Sequence, residues 1–253
     1  MTQVVRTPMI TTRGFYNLQT ASLTHKNNFK YKLTPKNKLE KILGEKEITI
    51  FIHGMRNTNK GAIMGTRALT RKLRKLGYKH PIISYSYDAN ISGTGSRNKL
   101  VFADATIKAT FIARSNGFIN LRAFIDDLKL NNPKCKINII AHSMGCVVVE
   151  GLIDSLLLFK TSLTDKKIIH KLHLFGSPIS TQSVKFIARS KLVGKVVNHY
   201  NPNDQVILGG MKDFGLVKPS CIIKPIDRKV TNKNAFAKDH RFKSYVKIMR
   251  SIP

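Results

Sequence analysis

The chain has 253 residues, 42% of them hydrophobic, and carries 44 Lys and Arg against 14 Asp and Glu, a formal charge of +30. That length and apolar content suit one sizeable folded core and argue against a disordered chain. Cysteines 135, 146 and 221 cannot all pair, which favours a reduced compartment over a disulfide framework.

Residues 1–46 read as an amino-terminal extension packing on a core domain at 47–253. Val4-Val5 and Met9-Ile10 suggest an edge strand broken by Pro8, followed by a Lys- and Asn-rich connector and a short helix near Leu39 to Leu43. The apolar run Glu47 to Ile52 predicts a buried strand that stops at His53-Gly54. Ala62, Leu69, Leu73 and Leu76 give a helix with one apolar and one basic face, ended by Gly77. Pro81 to Tyr87 predicts the next strand, closing at Asp88. The polar stretch Ser92-Gly93-Thr94-Gly95-Ser96 lacks the third glycine and the lysine of a phosphate-binding loop, so it reads as a lid or turn ahead of a weakly amphipathic segment.

Phe118, Leu121, Phe124, Ile125 and Leu128 predict a helix before the strand Cys135 to Ala141. That strand runs through Ala141-His142-Ser143-Met144-Gly145 into a helix on which Val148, Leu152, Leu156 and Phe159 share a face. Further strands are expected at Leu172 to Phe175, Val196 to Tyr200 and Ser220 to Ile223, and a terminal amphipathic helix at Phe242, Tyr245, Val246 and Met249. Strand–helix alternation of this kind argues an α/β fold with a doubly wound, mainly parallel sheet.

Strand, serine-centred turn and helix together form the context that a nucleophile elbow requires. Small residues at 141 and 145 are read as letting the turn close, by keeping the positions two before and two after Ser143 free to approach. A buried serine capping a helix is the alternative explanation. If Ser143 attacks an acyl carbonyl, the oxyanion needs two backbone N–H donors. Met144 supplies one, and Met55, in the loop after the His-Gly strand, is the expected second.

In sheets bearing such an elbow, the triad runs serine, acid, histidine along the chain. Asp204 follows a strand in Tyr200-Asn201-Pro202-Asn203-Asp204, and His240 is the one histidine beyond it. Asp165, Asp213 and Asp227 remain substitutes for the acid. Asp239 is too close in sequence to hold its neighbour's imidazole, and Asp88 precedes the serine. His170, His173 and His199 read as polar fillers, and His142 as support for the elbow.

Taken in order, Phe51-Ile52-His53-Gly54, Ala141-His142-Ser143-Met144-Gly145, Phe175-Gly176-Ser177-Pro178, Asn203-Asp204 and Asp239-His240 resemble an α/β-hydrolase of the esterase/lipase type. The likeness is to a branch carrying a small-His-Ser-Met-Gly elbow, and it covers roughly positions 47 to 250. It implies Ser143, Asp204 and His240 as nucleophile, acid and base, acting without metal or organic cofactor on a carboxylic ester. The basic surface suggests a lipid ester. An acyltransferase with the same triad is the near alternative.

Basic clusters at Lys26 to Lys46, Arg67 to Lys75, Lys185 to Lys195 and Lys224 to Lys247 would attract anionic membrane surfaces or nucleic acid. No zinc-finger, RNA-binding or phosphate-loop pattern accompanies them, so compositional bias explains them equally well. A non-catalytic polyanion- or membrane-binding protein that keeps the fold is therefore the rival reading. No export signal stands at the amino terminus. The helix from Val147 to Phe159 contains Glu150 and Asp154 and is too short to span a bilayer, so a soluble, intracellular protein is expected.

Overall fold

The centre of the molecule is built from runs too apolar to face water on either side. Strand β3 (Glu47–Ile52) sends Ile48, Ile50 and Ile52 into one hydrophobic cluster and Phe51 into a second on the opposite face. Strand β5 (Lys136–His142) divides in the same way, with Ile137, Ile139 and Ala141 on one side and Ile140 on the other. Burial on both faces is the pattern of a parallel sheet covered by helices.

The structure is a computed structural model and describes residues 7–25, 30–159, 167–214, 219–222, 224 and 227–250. Besides β3 and β5, its strands are β1 (Met9–Thr11), β2 (Lys32–Thr34), β4 (Ile82–Ser86), β6 (Ile169–Phe175), β7 (Val193–Tyr200) and β8 (Val230–Asn234). They form one sheet in the order β2-β1-β4-β3-β5-β6-β7-β8, and only the β1–β2 pair is antiparallel. The helices are α1 (Lys36–Leu43), α2 (Asn59–Lys75), α3 (Lys99–Ser115), α4 (Arg122–Asn131), α5 (Gly145–Leu158), α6 (Thr181–Arg189), α7 (Gln205–Phe214) and α8 (Phe242–Ile248). Helices α3, α4 and α5 contribute to the first cluster, α2 and α8 to the second, so the sheet is doubly wound.

The chain leaves β3 toward β4 on one side and returns past it to β5 on the other. The carboxyl ends of β3 and β5 therefore flank the point where strand order reverses, the crevice where open α/β sheets place their ligands. His53-Gly54 follows β3, and Ser143 follows β5.

Several elements differ from the sequence reading. Ser220 to Ile222 forms turns rather than a strand, with the Ser220 N–H donating to the Ile179 carbonyl; Ile223 lies outside the described residues. The last strand is β8, a polar edge segment with Val230 buried and no apolar alternation to announce it. Met9 and Ile10 lie in β1, inside the sheet next to the edge strand β2, while Val4-Val5 falls outside the described residues. The segment after the glycine loop is the 17-residue helix α3, which runs into a π-helical turn at Asn116–Leu121 and on into α4. Inside that turn the Asn116 side chain accepts from Thr12 Oγ1, and the Asn120 side chain accepts from the Tyr16 hydroxyl at 2.9 Å. Buried polar bonds of this kind fasten the amino-terminal segment to the core.

Three buried histidines and the partly buried His199 have a thermodynamic consequence. Burial, reinforced by neighbouring positive groups, holds His53, His142 and His173 down to about 3, and His199 well below the ordinary value of 6.5. Between those limits the unfolded chain binds protons that the folded chain refuses, so stability falls as pH falls through that window. The urea midpoint is expected to drop steadily from pH 7 toward pH 4, with proton uptake on unfolding. Replacing His173 and His199 together by phenylalanine should flatten the slope; an unchanged slope in that variant would show that these two groups do not set it.

Candidate active site

Ser143 sits on a turn that its own backbone resists. Its φ is 52°, in the left-handed region that non-glycine residues rarely enter, and its N–H donates to the Phe175 carbonyl at 2.9 Å. Helix α5 starts two residues later, so the serine side chain stands at a helix amino terminus, where backbone N–H groups and the helix dipole favour negative charge.

Gly145 has no room for a side chain. A Cβ at 145 would lie 2.6 Å from the Ile52 carbonyl oxygen and 2.8 Å from that of His53, so the end of β3 and the residue after it crowd this position. Gly54 is the counterpart across the crevice. A Cβ there would come within 2.7 Å of Ser143 Cβ and 3.1 Å of the His142 carbonyl. The loop carrying Met55 thus lies in contact with the serine. Among the described residues, neither the Met55 N–H nor the Met144 N–H donates to another group.

The structure brings Asp204 and His240 to this serine. His240 Nε2 lies 2.7 Å from Ser143 Oγ, and His240 Nδ1 lies 2.5 Å from Asp204 Oδ2. A carboxylate only accepts, so Nδ1 carries the proton and Nε2 is left to accept from the serine hydroxyl. Asp204 divides its two oxygens. Oδ1 accepts from the N–H groups of Val206 and Ile207 at the start of α7, while Oδ2 takes the imidazole and, at 3.3 Å, the Tyr245 hydroxyl. Burial pushes the Asp204 carboxyl up, but the bond to His240 and its charge, with the backbone and Tyr245 bonds, outweigh burial and leave it below its ordinary value.

His240 lies on a loop without regular structure, and two side chains hold that loop by its backbone. His142 Nε2 donates to the His240 carbonyl at 2.7 Å, and Asn201 Nδ2 donates to the Ala237 carbonyl at 3.1 Å. His142 thus holds the loop that carries His240, a contact distant from the elbow role read from the sequence. Asn201 and Tyr245 gave no such signal in the sequence, because each acts on a group far away in the chain.

The other described carboxylates bond away from this serine. Asp227 pairs with Arg189 at 2.9 Å, Asp239 bonds Arg241 and Ser244, and Asp88 accepts from the N–H groups of Gly14 and Tyr16. Asp165 and the side chain of Asp213 lie outside the described residues. His173 and His199 bond each other at 3.0 Å. Among the described residues, no cluster of three or more His, Cys, Asp or Glu could hold a metal ion, and no helix is long and apolar enough to cross a membrane.

A doubly wound sheet with a strained serine at its switch point is the architecture of an α/β hydrolase. Residues 32–181 match the family described as alpha/beta hydrolase of unknown function (DUF900). That is more than half of the chain, and the chain belongs to this family. The matched region holds the elbow and the His-Gly strand and ends before Asp204 and His240. No curated protein sequence matches the chain. Among solved structures it is similar to a novel cutinase-like protein from Cryptococcus sp., with 12% identity, a TM-score of 0.32 and 74% of each chain covered. It is also similar to the phospholipase PlaB from Legionella pneumophila in complex with thio-NAD, with 15% identity and a TM-score of 0.30, over 63% of this chain and 39% of that one. Both likenesses are slight.

The close approach at Gly54 is open to direct test. Gly54→Ala forces a methyl group into the space of Ser143 and His142, and overpacking of this kind costs about 1–3 kcal/mol. Urea denaturation should show that loss, and a variant as stable as the wild type would contradict the packing described.

Proposed function

We propose that the protein is a serine hydrolase that cleaves a carboxylic ester through an acyl-enzyme on Ser143. The observation that carries the reading is the unbroken line of hydrogen bonds from Ser143 Oγ through the His240 imidazole to Asp204, ending on a serine held at φ 52°. Strain of that kind persists where surrounding structure over-determines it, and it gathers at reacting centres. A serine that merely capped a helix would need neither the strain nor the imidazole.

In this reading His240 takes the proton from Ser143 Oγ as the oxygen attacks the acyl carbonyl, and the former carbonyl oxygen becomes an oxyanion facing the Met144 and Met55 N–H groups. His240 then gives the proton to the leaving alcohol as the carbon–oxygen bond breaks. Water attacks the acyl-enzyme with the same imidazole as base, releasing the acid and restoring the serine. Asp204 keeps the imidazole in the tautomer with Nδ1 protonated and stabilises its positive form. A carboxyl held below its ordinary value, as Asp204 is, suits that task because it stays ionised beside the cation.

We further propose a lipid ester presented on an anionic surface. Helix α3 carries Leu100, Ile107 and Phe111 in a solvent-exposed stripe, and its Thr110 hydroxyl reaches Met144 Sδ at 3.9 Å. An exposed apolar helix face next to the candidate site, on a chain of formal charge +30, supports that substrate class.

Ser143→Ala is expected to fold normally and to lose ester turnover by a factor on the order of 10⁴ or more, together with labelling by a fluorophosphonate. Asp204→Asn should be strongly impaired as well. Retained turnover or labelling in Ser143→Ala would remove the mechanism. On vesicles containing anionic lipid, binding should fall steeply between low and physiological salt, as screening and counterion release require. Binding that ignores salt, or fails at low salt, would leave the charge without this role.

A further inference from the structure

The heading of the Met55 N–H is set by side chains that converge on the carbonyl behind it. In a trans peptide the C=O and N–H of one plane point in opposite directions. Fixing the Gly54 carbonyl therefore aims the Met55 N–H. Two donors fix it: His53 Nδ1 at 2.9 Å and Asn57 Nδ2 at 3.1 Å, the latter also reaching the Met55 carbonyl at 3.3 Å. Gly54 itself packs against Ser143 and His142, so this peptide plane lies beside the serine.

Behind these two side chains stands one guanidinium. Since His53 Nδ1 donates to a carbonyl, its Nε2 accepts, and it does so from the Tyr87 N–H at 3.3 Å and from Arg13 Nη2 at 3.4 Å. Arg13 Nη2 also donates to the Asn57 carbonyl at 2.8 Å, and Arg13 Nε donates to Ser86 Oγ at 2.7 Å. The His53 ring is stacked on Tyr87 with centroids 4.6 Å apart, which leaves it little freedom to turn. The segment that brings Arg13 is in turn held by Asp88, which accepts from the N–H groups of Gly14 and Tyr16. Arg13 precedes the region matched by the family model, so this contact comes from outside it.

We propose that Arg13, His53 and Asn57 are positioning residues for the oxyanion hole, and that the amino-terminal segment is part of the active site through Arg13. The inference rests on the reading of Ser143 as nucleophile and of the Met55 N–H as one oxyanion donor. None of the three residues touches the reacting atoms. They act by holding one peptide plane in the orientation that the tetrahedral intermediate requires, where a small misplacement is costly.

The test uses the full chain as wild type, Asn57→Ala and Arg13→Lys, with p-nitrophenyl butyrate as substrate. A trifluoromethyl ketone serves as the probe of the tetrahedral state: Ser143 Oγ adds to its carbonyl, the proton passes to His240, and the ketone oxygen becomes the oxyanion. Irreversibly inactive protein does not alter the inhibition constant, and reversible unfolding weakens it only by the reciprocal of the folded fraction, so a variant that urea denaturation shows to be more than half folded stays within twofold. Both variants are expected to bind the ketone about 10- to 100-fold more weakly, a step below the loss of a whole oxyanion donor, with kcat falling in parallel and KM little changed. Inhibition constants within twofold of the wild type in both variants would overturn the inference, as would a wild type that takes the fluorophosphonate at Ser143 yet is not inhibited by the ketone. A wild type that takes no fluorophosphonate removes the nucleophile reading and this inference with it.

Discussion

A serine backbone held in a left-handed conformation, at the junction of the central strand and a buried helix, is the constraint on which the site depends. Such a conformation costs on the order of 1–3 kcal/mol, and a turn alone would relax out of it. It is held because neither flank can move. On one side, β5 is paired along its length with β3 and β6. On the other, α5 buries Val147, Val148, Val149, Leu152, Ile153 and Leu156, each worth about 1.5–3 kcal/mol of apolar burial. The core thus offsets the strain several times over. Sliding α5 to relieve Ser143 would pull those side chains out of a close-packed interior.

Around that fixed point several hydrogen-bond donors converge on one buried carboxylate. Asp204 uses one oxygen to start α7 and the other to hold the imidazole, so its loss would affect a helix end as well as the placement of His240. His142 and His53, on either side of the crevice, are kept neutral by burial. A charged imidazole at His142 would set a positive group against the His240 ring, whose centroid is 5.1 Å away. Burial thereby serves the electrostatics of the site even though the surface is strongly basic.

What could be read from the amino-acid order was what is encoded locally. The His-Gly strand end and the Ala-His-Ser-Met-Gly turn each lie within a few residues, and their apolar flanks mark them as central strands. Asp204 and His240 followed from residue type and order along the chain, and the structure puts them in hydrogen-bond contact with each other and with Ser143. Elements whose packing breaks the periodic pattern were harder to read. Helix α3 was obscured because Leu100, Ile107 and Phe111 face solvent instead of the core. Strand β8 pairs through its backbone while exposing Thr231 and Lys233. Cys221 and Ile222 looked like a strand because they are apolar, yet both lie in turns, with Cys221 buried and Ile222 partly so. Arg13 gave no signal at all, since its partners are a carbonyl at 57, a hydroxyl at 86 and an imidazole at 53.

The two halves of the site are held by different means. The Ser143 half is set by strand register and by glycines with no room for a side chain. The half with Asp204 and His240 is held by donors to backbone carbonyls: His142 to His240, and Asn201 to Ala237. A carbonyl is present whatever the side chain, so these bonds constrain the path of the loop at 237–240 and leave most of its residue types free. The path of that loop is thus held through its backbone, and along it the chain returns the His240 imidazole to within 2.7 Å of Ser143 Oγ.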